Sequence, residues 1–164
     1  MTASAQKVLV IGYGNPARED DGLGTLAAEA IDKLNMSGVT VEVDYQLHVE
    51  DAAAVAAHDV VIFVDASVEG DAPFYFTRVV PAFPEGEFST HVVEPQTVVA
   101  LAKNIFNATC QAYVLGIRGY SFSMFTESMT QPARENLRAA LDFIVPAIQS
   151  RLFSGQLQQT GYTI

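Results

Sequence analysis

Residues 7–12 read Lys7-Val-Leu-Val-Ile-Gly12, a short apolar run rich in β-branched side chains that ends in glycine. A run of this length without polar alternation predicts a strand that is buried on both faces. Residues 60–65, Val60-Val-Ile-Phe-Val-Asp65, repeat the pattern. Strands buried on both faces are typical of parallel sheets covered by helices, so these two stretches indicate an α/β fold.

Helical and strand patterns alternate along the rest of the chain. Apolar spacing predicts helices over 23–36, 51–58 and 95–106, a long C-terminal helix from about 133 to 152, and strands over 39–44, 74–80 and 112–117. Prolines on both sides of 74–80 favour an edge strand, and Pro146 is expected to kink or shorten the last helix. We therefore predict a three-layer α/β sandwich. A twisted, mostly parallel sheet of about five strands, one edge strand antiparallel, lies between its helices.

Composition and charge narrow the class of protein. The 164 residues, 49% of them hydrophobic, fit one domain over 1–164, with residues 1–6 and about 154–164 as loose tails. The net charge of −10 argues against nucleic acids and membranes as partners. The single cysteine, Cys110, allows no internal disulfide and no cysteine-rich metal cluster. The N-terminus lacks a signal-peptide pattern and no segment is apolar enough to span a bilayer, so we expect a cytoplasmic protein.

The loop after the first strand combines glycines with three consecutive acids, Glu19, Asp20 and Asp21. Its Gly-x-Gly start allows a Rossmann-like nucleotide-binding interpretation, but carboxylates beside a helix N-terminus repel a pyrophosphate. They favour a cation instead. The alternative is that Asp20 or Asp21 only caps the following helix.

Two further residues are expected at the same edge of the sheet, where ligands of parallel sheets bind. Asp65 ends the second apolar strand, although a strand-end turn is an alternative role for it, and His91 lies in a loop before the helix that starts at Pro95. Two carboxylates and an imidazole suit a divalent transition metal and leave coordination positions open. His48 follows the strand 39–44 and is a candidate substrate contact at this rim.

Residues 8–24, Val8-Leu-Val-Ile-Gly-Tyr-Gly-Asn-Pro-Ala-Arg-Glu-Asp-Asp-Gly-Leu-Gly24, closely resemble the N-terminal signature of the hydrogenase maturation endopeptidases. These enzymes remove the C-terminal extension of the large subunit of nickel–iron hydrogenases. The resemblance continues at Val61-Ile-Phe-Val-Asp65-Ala, at Ser89-Thr-His91 and at Tyr113-Val-Leu-Gly-Ile117, and so spans nearly the whole chain in order.

The resemblance implies a catalytic and metal-contacting trio of Asp21, Asp65 and His91. The metal is nickel already inserted in the precursor of the hydrogenase large subunit, and the enzyme has no cofactor of its own; cadmium or zinc could replace nickel in a crystal. Cleavage requires a water activated by the metal or by one carboxylate, Asp21 or Asp65. Gly14 lets the loop approach the substrate, and Asn15 holds the loop or binds the peptide.

One segment departs from the family pattern. Many members carry a glycine-rich stretch with threonine after the second strand, whereas residues 44–51 here read Asp44-Tyr-Gln-Leu-His-Val-Glu-Asp51. This rim is expected to touch the substrate, so the departure leaves the particular hydrogenase open. Besides the nucleotide-binding interpretation, a non-catalytic module that handles nickel is the second alternative to the peptidase.

Overall fold

Five strands form one sheet in the computed structural model, which describes residues 4–86, 93–123 and 128–153. The strands are β1 (Val8–Tyr13), β2 (Val39–Asp44), β3 (Val60–Ser67), β4 (Phe74–Arg78) and β5 (Gln111–Arg118). Their order in the sheet is β2-β1-β3-β5-β4. All neighbouring pairs are parallel except β4 with β5, which is antiparallel. The predicted sheet is therefore confirmed, including its antiparallel edge strand.

Helices cover both faces of this sheet. They are α1 (Leu23–Asp32), α2 (Asp51–Ala56), α3 (Pro95–Phe106) and α4 (Gln131–Ser150), and a 3-10 turn, Glu19–Gly22, precedes α1. Helices α1 and α4 share one core with the sheet, and α2 and α3 share the other. In the part of the chain that the structure describes, no helix has both the length and the apolar character needed to cross a membrane.

Alternate residues of each central strand enter the two cores. In β1, Val8 and Val10 face α1 and α4, whereas Leu9 and Ile11 face α2 and α3, and all four are buried. This arrangement explains the unbroken apolar runs that decide the fold class. Tyr13 continues the second set and is partly buried on the α2–α3 face.

The strand β3 is longer than its apolar pattern predicts. Asp65 was expected at the end of this strand, but the ladder with β5 continues through Asp65–Gly116 to Ser67–Arg118. The longer partner strand supplies hydrogen-bond partners for the backbone of β3 beyond the apolar run. Asp65 therefore stands on a rigid strand rather than in a turn.

Pro146 does not shorten the last helix, so that part of the expectation is wrong. Helix α4 runs without a break to Ser150. Pro146 and Asp142, whose carbonyl would accept from a non-proline residue 146, are both exposed, so water can hydrate the free carbonyl. Ile144 and Ile148 on either side of the proline are fully buried and hold the helix on the sheet.

Candidate functional site

The three acids of the first loop make different contacts. Asp20 is fully buried and accepts hydrogen bonds from the backbone N–H groups of Tyr120, Ser121 and Thr130, and from the Thr130 hydroxyl, at 2.8–3.1 Å. Burial by itself raises the pKa of Asp20, but these bonds outweigh it and hold the pKa below its usual value. Asp20 therefore fastens the first loop to the segment that leads into α4.

Glu19 makes contacts of the same kind. Its carboxylate accepts a hydrogen bond from the hydroxyl of Ser121 and another from the backbone N–H of Ser123 at 3.1 Å. Glu19 also has a positive φ of 50°, which turns the chain into the 3-10 turn. The carboxylates of Glu19 and Asp20 thus hold the loop in place.

Asp21 faces the other way, into the loop that follows β1. Its Oδ2 accepts a hydrogen bond from the backbone N–H of Asn15 at 2.8 Å. Gly14 has a φ of 137°, and a Cβ atom on it would overlap the carbonyl oxygen of Asp21. Only glycine allows the loop to fold this closely around Asp21. The side chain of Asn15 accepts from the N–H of Ala17 at 3.0 Å, which assigns it to holding the loop.

Neither Asp20 nor Asp21 caps α1, so the capping alternative is wrong. The N-cap residue of α1 is Gly22, and no side chain makes a cap hydrogen bond there. Glu94 occupies the N-cap of α3 but likewise makes no side-chain cap bond.

The backbone of the first loop is also poorly suited to bind a phosphate. The N–H groups of this loop already donate to partners within the protein, at Gly14, Asn15, Ala17, Arg18, Asp20 and Asp21. A pyrophosphate site needs free N–H groups that converge on the anion. The structure therefore argues against the nucleotide-binding interpretation.

Asp65 lies on β3, at the same carboxyl edge of the sheet as the loop that follows β1. The pKa of Asp65 is raised to about 7: burial and, to a smaller extent, the charge of Asp21 raise it, and hydrogen bonds from the N–H of Ala66 and the hydroxyl of Tyr13 lower it. The bond from Ala66 measures 2.8 Å. The 3-10 turn that contains Asp21 packs against β3, and the charge of Asp21 acts on Asp65 there. Two carboxylates that interact in a partly buried site favour a proton or a cation.

Sequence reasoning missed Tyr13. The side chain follows Leu9 and Ile11 on the α2–α3 face, and β1 pairs with β3 so that Gly12 lies opposite Val64. One residue beyond this last pair of the ladder, Tyr13 acts on Asp65 through its hydroxyl. The period-two pattern of β1 carried this signal, but using it required the register between the two strands.

His91 lies in the segment 87–92, outside the described residues. Over the described ranges, no group of three His, Cys, Asp or Glu side chains is close enough to hold a metal ion. Val93, two residues after His91 in sequence, packs against the same core as Tyr13. The predicted third member of the trio thus remains a prediction.

His48 stands at the carboxyl end of β2, two strands away from Asp65. Its Nε2 lies 3.3 Å from Oδ2 of Asp44, and its side chain is 42% exposed. Asp44 in turn lines a cavity of about 210 Å³ together with Gly14 and Tyr45. His48 therefore belongs to the rim beside the loop around Asp21, and the structure places it next to Asp44 rather than next to either site aspartate.

The fold is that of several solved hydrogenase maturation proteins. The chain is 24% identical to the NiFe hydrogenase maturation protease HycI from Thermococcus kodakarensis KOD1, with a TM-score of 0.69 over 90% of this chain and 95% of that one. It is 20% identical to the hydrogenase maturating endopeptidase HybD from Escherichia coli, with a TM-score of 0.67 over 89% and 94%. It is also 20% identical to a hydrogenase 3 maturation protease, with a TM-score of 0.67 over 98% and 100%.

No protein-family model matches the chain, and no curated protein matches it in sequence. The structural likeness covers nearly the full length of this chain and of each of these proteins. At identities below 25%, this likeness establishes the fold alone, and it confirms the α/β sandwich that the sequence motifs implied. The chain has the fold of the hydrogenase maturation proteases.

Proposed function

We propose that this protein is an endopeptidase that removes the C-terminal extension of a nickel–iron hydrogenase large-subunit precursor after nickel insertion. In this proposal Asp21, Asp65 and His91 bind the nickel carried by the precursor and thereby place the scissile bond beside the site. The observation that supports the proposal is that the 3-10 turn with Asp21 packs against β3, where the charge of Asp21 acts on Asp65, in a chain with the maturation-protease fold.

The electrostatics of the two aspartates support a cation as the ligand. Both carboxylates are partly buried, and the charge of one raises the pKa of the other. A divalent cation between them removes this repulsion, and nickel accepts carboxylate and imidazole ligands. Because Glu19 and Asp20 are used in contacts that hold the loop, Asp21 is the acid of this loop that can act together with Asp65.

The chemistry at the site is peptide hydrolysis. A water molecule attacks the carbonyl carbon of the scissile bond, the carbonyl is polarised, and a proton passes to the leaving amine. The metal carried by the precursor, or the carboxylate of Asp21 or Asp65, activates the water. An empty precursor offers no ion for these side chains, so it is not cleaved, and the reaction checks for nickel.

A groove beside the first loop is suited to a polypeptide. A cavity of about 490 Å³ is lined by Asn15, Pro16, Ala17, Glu19, Gly22, Leu26, Tyr45, Met129, Arg134 and Leu137. It shares Pro16 and Tyr45 with the smaller cavity next to Gly14 and Asp44. Together the two cavities run along the outside of the loop that holds Asp21, which offers the precursor a binding surface next to the proposed metal position.

The experiment compares two forms of one purified precursor, nickel-loaded and metal-free. Mass spectrometry after incubation with this protein reads the loss of a C-terminal peptide. We expect cleavage of the loaded form alone. Cleavage of both forms would contradict recognition through nickel, and cleavage of neither would contradict the peptidase. Nickel-dependent binding without cleavage would instead identify a module that handles nickel.

A further inference from the structure

A row of four residues crosses the sheet at the level of Asp65. Asp65 of β3 pairs with Gly116 of β5, and Gly116 pairs with Tyr75 of β4. On the other side, the pairing of Gly12 with Val64 makes Tyr13 the neighbour of Asp65. Residues in register on neighbouring strands point to the same face, so all four lie on the α2–α3 side of the sheet.

A tyrosine lies on each side of Asp65 in this row. A Cβ atom on Gly116 would overlap the ring of Tyr75, so the missing side chain at position 116 lets this ring lie over β5. On the β1 side, Tyr13 is the next residue after the Gly12–Val64 pair and lies on the same face as Asp65, where its hydroxyl lowers the pKa of the Asp65 carboxyl as a hydrogen-bond donor. Burial and this interaction restrict the rotation of the Asp65 carboxylate.

The carboxylate keeps positions for a further ligand. An ionised carboxylate accepts at about four lone-pair sites, and Asp65 uses one for the N–H of Ala66 and one for Tyr13. Groups bonded behind a metal ligand set its direction, and their loss costs about 10–100-fold in metal affinity or activity. Among the described residues, the other titratable groups that act on this cluster are Asp21 on Asp65, and Tyr75 and Glu94 on Tyr13.

We propose that Tyr13 is a positioning residue that holds the Asp65 carboxylate in the orientation in which it binds the nickel of the precursor. This inference rests on the proposed function and adds a residue to it. Tyr13 itself does not touch the metal or the scissile bond. Its hydroxyl acts through Asp65, so removal of the hydroxyl alone should impair the reaction while the ring continues to pack.

The test compares Tyr13→Phe with Tyr113→Phe. Tyr113 is the matched control because its hydroxyl bonds Gln111 at 3.2 Å and its ring lies in the opposite core, against Phe76 and Phe153. With nickel-loaded precursor, we expect kcat/KM of Tyr13→Phe to fall about 10–100-fold, and that of Tyr113→Phe to stay within about twofold. The melting temperature of Tyr13→Phe should remain that of the wild type.

A second measurement needs no cleavage. The Kd of nickel-loaded precursor, measured by surface plasmon resonance at low temperature, should rise about 10–100-fold in Tyr13→Phe and stay within about twofold in Tyr113→Phe, because a misoriented Asp65 carboxylate binds the nickel more weakly. A purely structural role for Tyr13 would change the Kd of metal-free precursor by the same factor.

The outcomes separate the two proposals. Wild-type cleavage beside a fully active Tyr13→Phe overturns the positioning role and leaves the proposed function standing. A wild-type protein that cleaves no precursor overturns the proposed function first. An unchanged Kd for nickel-loaded precursor in Tyr13→Phe overturns the positioning role whatever the activity.

Discussion

Asp20 and Thr130 are joined by two hydrogen bonds of 2.8 Å, one from the Thr130 backbone N–H and one from its hydroxyl. Thr130 is also the N-cap residue of α4, and its hydroxyl oxygen accepts from the N–H of Ala133. A single carboxylate thus connects the loop after β1 to the start of the last helix. The position of Asp21, next in sequence, depends on this connection.

We expect Asp20→Ala to lower the free energy of unfolding by about 3 kcal/mol or more, because it leaves several donors without an acceptor in a buried site. Urea denaturation measures the change. Thr130→Val, which removes only the hydroxyl, should cost about 1–2 kcal/mol. A loss below 1 kcal/mol for Asp20→Ala would contradict the fastening role.

Gly14→Ala and Gly86→Ala form a matched pair for the loop around Asp21. Both glycines have positive φ, but a Cβ atom would overlap Asp21 at position 14 and meet nothing within 4 Å at position 86. We expect Gly86→Ala to lower the free energy of unfolding by about 1 kcal/mol and Gly14→Ala to lower it by clearly more. Only Gly14→Ala should lose cleavage. Thermal unfolding and the cleavage assay check both effects. Equal costs would show that the contact with Asp21 is unimportant.

The stability of the metal-free protein should depend on pH through the carboxyl group of Asp65. Its folded pKa of about 7 lies above the unfolded value of 3.8, so the folded state binds the extra proton and loses stability as pH rises between these values. The free energy of unfolding of Asp65→Asn relative to that of the wild type should therefore be about 2–3 kcal/mol higher at pH 8 than at pH 4.5. Urea unfolding at the two pH values measures this difference. A difference that does not change with pH would contradict the raised pKa.

How much of this site the sequence could predict depended on the range of the interactions. The runs at 7–12 and 60–65 reveal their strands because period and burial are local properties. The residues themselves did not decide which of Glu19, Asp20 and Asp21 belongs to the site, since the contacts of Glu19 and Asp20 with Tyr120, Ser121 and Thr130 are long-range. The family resemblance selected Asp21, and the structure adds that the carboxylates of Glu19 and Asp20 are used in loop contacts.

The same limit explains Tyr13 and Pro146. Tyr13 meets Asp65 only through the register of β1 on β3, which is set by the whole sheet. Pro146 looks disruptive in sequence, but the packing of Ile144 and Ile148 against the sheet outweighs the local propensity. The local pattern therefore gives the elements, while long-range pairing assembles the site.

His91→Ala tests the member of the trio that lies outside the described residues. We expect it to reduce cleavage of nickel-loaded precursor at least about 100-fold, because an imidazole ligand is lost. His58→Ala is the control, since Nδ1 of His58 bonds the carbonyl of Ala54 near the end of α2 and His58 lies just before the amino end of β3, opposite the carboxyl edge of the sheet. Initial cleavage rates measure both variants. Full activity of His91→Ala would remove this residue from the proposed site.

The most direct test of the central claim is the cleavage of nickel-loaded precursor by Asp21→Asn, Asp65→Asn and Asp142→Asn. Asp142 is an exposed aspartate on α4 and serves as the control for the charge change. If Asp21 and Asp65 together bind the nickel of the precursor, kcat/KM falls at least about 100-fold in each of the first two variants and stays near wild type in the third. Near-wild-type cleavage by either Asp21→Asn or Asp65→Asn would contradict the account.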